Sequence, residues 1–145
     1  MKVFAWPARV YWEDTDGGGF VYYANYLRFL ERARTEWLRS FGHSQRQLLR
    51  EAGIVFTVVS LEIGYRAPAH LDDELRVTCE PRSNGAASLE FAQRIYRQTG
   101  GQREGGRLLT EASVRVACVD ARTLRPRRLP EFLVQALAVA GDAHG

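Results

Sequence analysis

Lysine is almost missing from this sequence of 145 residues: the basic side chains are nineteen arginines and the single Lys2. The resulting net charge of +3 suits anionic ligands such as phosphates but falls well short of a nucleic-acid footprint. Cysteine is scarce too. Cys79 and Cys118 sit in apolar, strand-like runs and read as buried free thiols of a reducing compartment rather than a disulfide framework. The three histidines, His43, His70 and His144, are scattered and read as surface groups; with two cysteines they give no zinc spacing, so no metal is expected. No apolar run approaches the ~18 residues of a membrane span. The opening M-K-V-F-A-W-P-A-R-V lacks the apolar stretch of a signal peptide, which makes the cytoplasm the expected location. Neither G-x-x-x-x-G-K-[ST] nor G-x-G-x-x-G occurs, which argues against a nucleoside triphosphate or dinucleotide ligand, and no cofactor is expected.

The length fits one domain, 1–145, with 136–145 read as a flexible tail. Apolar content of 46% and charge of 26% are those of an ordinary globular chain with a full core. Strand signals cover Ala8 to Trp12, with Pro7 pushing the earlier residues toward an edge or entry position. From Ala24 to Ser40, apolar residues recur at spacings of three and four: Tyr26, Leu27, Phe29, Leu30, Ala33, Trp37 and Leu38. That stripe is too wide for a helix that meets its core on one side, and suits one wrapped by a curved sheet. Arg32 and Glu36 are placed to pair on its remaining face. Gly42 ends the helix, and Ser44 caps a short helix from Gln45 to Ala52 that Gly53 closes.

Strand patterns then follow one another. Ile54 to Arg66 is β-rich, Glu74 to Pro81 alternates with Leu75, Val77 and Cys79 inward, and Ser83-Asn84-Gly85 signals a hairpin. Ser88 to Arg97 places Leu89, Phe91, Gln93 and Ile95 on one face. Thr99 to Gly106 reads as a loose polar loop, Arg107 to Val119 as the last long strand, and Pro130 to Ala138 as a short closing helix. The last four strands read in meander order; runs of strands without intervening helices imply an antiparallel sheet, so the class is α+β.

The chemistry concentrates between Trp12 and Phe41. Glu13, Asp14 and Asp16 precede three consecutive glycines, Gly17 to Gly19, and then the long helix begins. The acids also read as solvated turn residues. The surrounding aromatics (Tyr11, Trp12, Phe20, Tyr22, Tyr23, Tyr26) nevertheless lead us to expect partly excluded water and a raised carboxyl pKa. A helix start near Tyr23 offers free N–H groups and a partial positive charge, able to polarise a carbonyl while a carboxylate attacks it or activates water.

The string Y-W-E-D-T-D-G-G-G-F-V-Y-Y-A-N-Y, followed by E-R-A-R-T-E, resembles the hotdog-fold acyl-CoA thioesterases. The similarity is to the 4-hydroxybenzoyl-CoA thioesterase group and its Tol–Pal-associated, YbgC-like branch. It extends through Tyr65-Arg66-Ala67-Pro68-Ala69, Leu71-Asp72-Asp73, the run Ala112 to Asp120 and Arg125-Pro126-Arg127, nearly the whole chain. The resemblance implies a five-stranded antiparallel sheet wrapped around a long central helix, and a homodimer or homotetramer with active sites at the dimer interface. It implies hydrolysis of an acyl-CoA thioester, coenzyme A being part of the substrate and not a cofactor, or of an acyl group carried on an acyl carrier protein. Asp16 matches the family's catalytic carboxylate, nucleophile or general base, and the amide of Tyr23 its carbonyl-polarising donor. Gly19, Val21, Tyr22 and Asn25 match positions around the substrate. Many members of the Tol–Pal branch carry His where this chain has Tyr23, so any chemistry of that side chain would be absent here, while a backbone donor would survive.

Glu31 offers a rival carboxylate on the central helix, but it lies two turns in, and Asp16 is preferred. Arg122, Arg125, Arg127 and Arg128 read as a solvated turn or, given the resemblance, as a seat for coenzyme A phosphates, with Arg125, Arg127 and Arg128 the binding candidates. A non-catalytic acyl-CoA or acyl-carrier-protein binding module on the same fold is the main alternative. A hydratase ranks lower because no histidine adjoins the motif.

Overall fold

Alternation of apolar and polar residues in the second half of the chain builds the sheet. In the computed structural model, which describes residues 3–98 and 106–144, the strands are β1 (Phe4–Arg9), β2 (Ile54–Tyr65), β3 (Glu74–Ser83), β4 (Ser88–Gln98) and β5 (Arg107–Asp120). They form one five-stranded sheet in the order β1-β3-β4-β5-β2, with every pairing antiparallel. The inward faces are those the alternation marks: Leu75, Val77, Cys79, Leu89, Phe91, Gln93 and Ile95 are all buried. Both cysteines are buried and free. Residues 99–105, most of the expected polar loop, lie outside the described residues.

The long helix α1 spans Tyr26–Arg39 and buries Tyr26, Phe29, Leu30, Ala33, Trp37 and Leu38 against the sheet. Phe29, Leu30 and Ala33 are at most 1% exposed, so truncating Phe29 to alanine should cost about 3–5 kcal/mol. Glu36 pairs with Arg39 and not with the expected Arg32, whose guanidinium lies 5.9 Å over the Phe29 ring. The second helix, α2 (Gln45–Ala52), is capped as its sequence requires: Ser44 Oγ accepts from Gln47 N, and Gly53 takes a left-handed φ of +66°.

Three boundaries differ from the sequence reading. β1 runs straight through Pro7 and stops at Arg9, because an edge strand tolerates a missing N–H. Trp12 then opens a 3₁₀ turn, Trp12–Asp14, instead of closing the strand. At the far end, α3 runs Glu131–His144, past Ala138 and through most of the segment read as a tail. Its Leu133 and Leu137 are buried one turn apart and extend the core beneath it.

Candidate active site

The loop carrying Asp16 is a small hairpin fastened to the start of α1. Thr15 and Val21 form an antiparallel bridge, Asp16 N donates to Phe20 O at 3.0 Å, and Tyr22 N donates to Asp14 O at 3.0 Å. At its tip Gly17 and Gly19 take φ of +90° and +89°, backbone that side-chain-bearing residues rarely adopt. Gly18 N donates to Asp16 Oδ1 at 2.8 Å, and a Cβ added at Gly18 would meet that same oxygen at 3.2 Å. The glycines thus let the chain reverse while keeping atoms off the Asp16 carboxylate.

Val21 N donates to Ala69 O and Leu71 N to Gly19 O, which docks the hairpin on the turn after β2. That turn has its own braces. His70 N donates to Asp73 Oδ2 at 2.8 Å, Arg97 Nη1 lies 3.6 Å from Asp73 Oδ2, and the His70 ring packs 4.9 Å from Phe20. Ala69 N donates to the Tyr26 hydroxyl. The Tyr65 hydroxyl donates to Tyr23 O at 2.7 Å, tying the end of β2 to the first helical turn. Burial raises the pKa of both Tyr26 and Tyr65, so their hydroxyls stay protonated and able to donate.

Asp16 is exposed within one chain; the exclusion of water expected around the acids is realised at Asp14 instead, which is 4% exposed. Asp14 Oδ2 accepts from Tyr11 N at 2.8 Å and Oδ1 from Asn25 Nδ2 at 2.9 Å. This clamp gives Asp14 a structural role that the sequence pattern, which favoured Asp16 as catalyst, did not assign it. Its signal was the spacing: an acid three residues after Tyr11 can cap the amide that opens the turn.

The remaining candidates divide. Asn25 is buried as Asp14's partner, and Val21 is buried in the core, so both shape the loop. Tyr22 and Tyr23 are 49% and 64% exposed with rings 4.9 Å apart, and the neighbouring Tyr23 side chain raises the Tyr22 pKa. As the first residue of the 3₁₀ turn Tyr23–Asn25, Tyr23 has no intrahelical acceptor for its N–H. Glu31 is exposed and accepts from the Thr35 hydroxyl.

Arg125, Arg127 and Arg128 are not beside Asp16 in the same chain. Their turn follows Asp120, which pairs with Ile54 at the start of β2, whereas Tyr65 at its other end adjoins the site. The strand is twelve residues long, so these ends lie roughly 36 Å apart along it. Arg127 is also partly committed, bonding Asp120 Oδ2 at 2.9 Å and Ala52 O at 3.3 Å. His43, read as a surface group, stacks on Phe132 at 3.7 Å; His70 is exposed. Among the described residues, no group of three His, Cys, Asp or Glu could hold a metal ion, and no helix is long and apolar enough to cross a membrane.

This arrangement has counterparts in known proteins. A sequence model of the thioesterase superfamily matches residues 18–104. The chain belongs to the thioesterase superfamily. Within the superfamily it is 46% identical over 132 residues to the acyl-CoA thioester hydrolase YbgC of Escherichia coli O6:H1, covering 91% of this chain and 93% of that one. It is 44% identical over 128 residues to the acyl-CoA thioesterase YbgC of Haemophilus influenzae, covering 88% and 89%. The crystal structure of the 1,4-dihydroxy-2-naphthoyl-CoA thioesterase Slr0204 from Synechocystis superposes with a TM-score of 0.82 at 26% identity, covering 94% of this chain and 96% of that one. The five-stranded antiparallel sheet around α1 is therefore the hotdog fold of these enzymes.

Proposed function

We propose that this thioesterase hydrolyses acyl-CoA thioesters to the free acid and coenzyme A, with Asp16 as the catalytic carboxylate. The observation that carries the residue assignment is the contrast within the loop: Asp14 is consumed by two hydrogen bonds, while Asp16 stands exposed at a glycine tip with one backbone partner. As a general base, Asp16 takes a proton from water and the hydroxide adds to the thioester carbonyl. The developing oxyanion is met by the N–H of Tyr23 at the helix start. Collapse breaks the C–S bond, and the thiolate leaves with the proton. As a nucleophile, Asp16 would instead form a mixed anhydride that water then opens. Either route uses the backbone at position 23, so a tyrosine there keeps the chemistry intact.

The working site is assembled from two copies. β2 is an edge strand, and Val58, Val59, Leu61 and Tyr65 on it are 43%, 52%, 39% and 45% exposed, an apolar edge that an isolated chain leaves unpaired. Antiparallel pairing of two β2 strands about a two-fold axis sets the Ile54 end of one beside the Tyr65 end of the other. Each Asp16 would then face the partner's arginine turn, where exposed Arg125 and Arg128 can take coenzyme A phosphates while Arg127 holds the turn. Cytoplasmic location rests on the two buried free thiols, and an acyl carrier protein is a second carrier the site could accept.

The test is Asp16→Asn assayed by thiol release over a panel of acyl-CoAs. We expect the fold to survive and the rate to collapse; hydrolysis at the parental rate removes Asp16 from the mechanism. Saturable binding without thiol release by the unaltered protein would make it a binding module.

A further inference from the structure

Between α1 and the β2 side of the sheet lies a cavity of about 150 Å³. Its wall is largely apolar, with Trp37, Phe56, Val58, Leu89, Phe91 and Leu133, but Arg34 and Glu31 also line it. Arg34 is largely buried, which lowers its pKa. Its one hydrogen bond among the described residues runs from Nη1 to Gln93 Oε1 at 3.0 Å. Gln93 is itself 1% exposed, and its Nε2 donates to Leu30 O and Thr78 O, so its oxygen is fixed toward the guanidinium. Glu31 is no counter-ion of close contact: it is exposed at the rim, and its carboxylate accepts from Thr35, which in turn accepts from Gln45.

Among the described residues Arg34 has no ion-pair partner in contact, only the more distant charge of Glu31 on the same helix, and a largely buried cation gains from a closer opposite charge. Arg34 lines a small cavity whose other walls are largely apolar. That cavity lies downstream of the reacting centre. Arg34 is eleven residues beyond Tyr23, about 16 Å along the helix axis. Leu27 on α1 and Leu61 on β2 are exposed apolar side chains.

We infer that this cavity receives the far end of the acyl group and that Arg34 selects medium-length chains ending in a carboxylate, the monothioesters of dicarboxylic acids. The inference rests on the thioesterase reading and names its substrate class. The chain's methylenes lie against Trp37, Phe56 and Val58, its terminal carboxylate takes the free Arg34 donors, and Gln93 holds the guanidinium in register. Glu31 at the rim disfavours chains whose carboxylate stops short of Arg34.

The experiment compares kcat/KM for matched pairs of acyl-CoAs, plain and ω-carboxylated, at rising chain length. Once the chain reaches the cavity, the unaltered protein should favour the carboxylated member by roughly tenfold or more, the size of a charge-assisted hydrogen bond. In Arg34→Met that ratio should fall to one or below, and Arg34→Lys should restore part of it. A plain chain hydrolysed at least as fast as its carboxylated partner at every length overturns the inference, as does an unchanged ratio in Arg34→Met. Calorimetric binding of the same pairs to Asp16→Asn reads the preference without turnover. Tighter binding of the carboxylated member alongside an absence of thiol release by the unaltered protein would uphold the cavity and sink the hydrolase.

Discussion

Asp14 and Asp16 share one loop, two residues apart, and occupy opposite environments. Asp14 is buried with both carboxylate oxygens engaged, so it fastens the loop to Tyr11 and to Asn25 at the helix start. Asp16 is exposed and, among the described residues, its carboxylate accepts from a single backbone amide, so its lone pairs are available to a substrate or a water. In the proposed mechanism the same functional group is thus a structural brace at one position and a reagent at the other. Hydrogen-bond commitment, not acidity of the sequence, divides the roles.

That division can be broken from either side. Asp16→Asn should lower acyl-CoA turnover by about 10²–10⁴-fold while leaving the urea midpoint within the small shift of a surface substitution; a large loss of stability with modest loss of rate would reverse the two roles. Asp14→Ala removes the acceptor of the Tyr11 amide, leaves the buried Asn25 side chain unpaired, and should destabilise the protein by about 1–3 kcal/mol, read by denaturant unfolding. Activity in that variant should fall because the loop loosens, and it should recover in part under stabilising osmolyte.

Smaller effects sharpen the boundary between brace and site. Tyr65→Phe deletes the bond to Tyr23 O and should cost about 1 kcal/mol, with kcat affected more than KM if the helix start is what the bond positions. The least effect belongs to Asp120, remote from the loop. The amides of Thr123 and Arg122, and then Arg127, hold its carboxyl below the ordinary value. Its stabilisation is therefore fully present above the unfolded-state pKa of about 3.9 and is lost as pH falls through the lower folded value. The melting-temperature gap between the unaltered protein and Asp120→Asn should close only in strong acid.

Much of the fold could be read directly. Period-two alternation marked the inward faces of β3 and β4, three-four spacing marked α1, and Ser44 and Gly53 bounded α2, because each is a local rule with a local cause. Strand order was misread: instead of a meander of the last four strands, β2 pairs with β5, and β1 pairs with β3 across more than sixty residues, pairings that no local pattern encodes. The distance between Asp16 and its own arginine turn was hidden for the same reason. Asp14 and Arg34 were missed differently: charged residues are assumed to face water, and burial of a carboxylate or guanidinium is decided by partners such as Asn25 and Gln93 that lie elsewhere in the chain.

The sheet's two edges are unequal, and that inequality limits how far it can grow. β1 is six residues long and carries Pro7, whereas β2 is twelve residues long and apolar. Joining two copies through β2, as proposed, would use the longer, more apolar edge of each and leave a short, proline-bearing strand at both ends of the combined sheet. Polymerisation would thereby be self-terminating. Such a chain could carry an exposed apolar strand without seeding fibres, since the act of covering it would also remove the template.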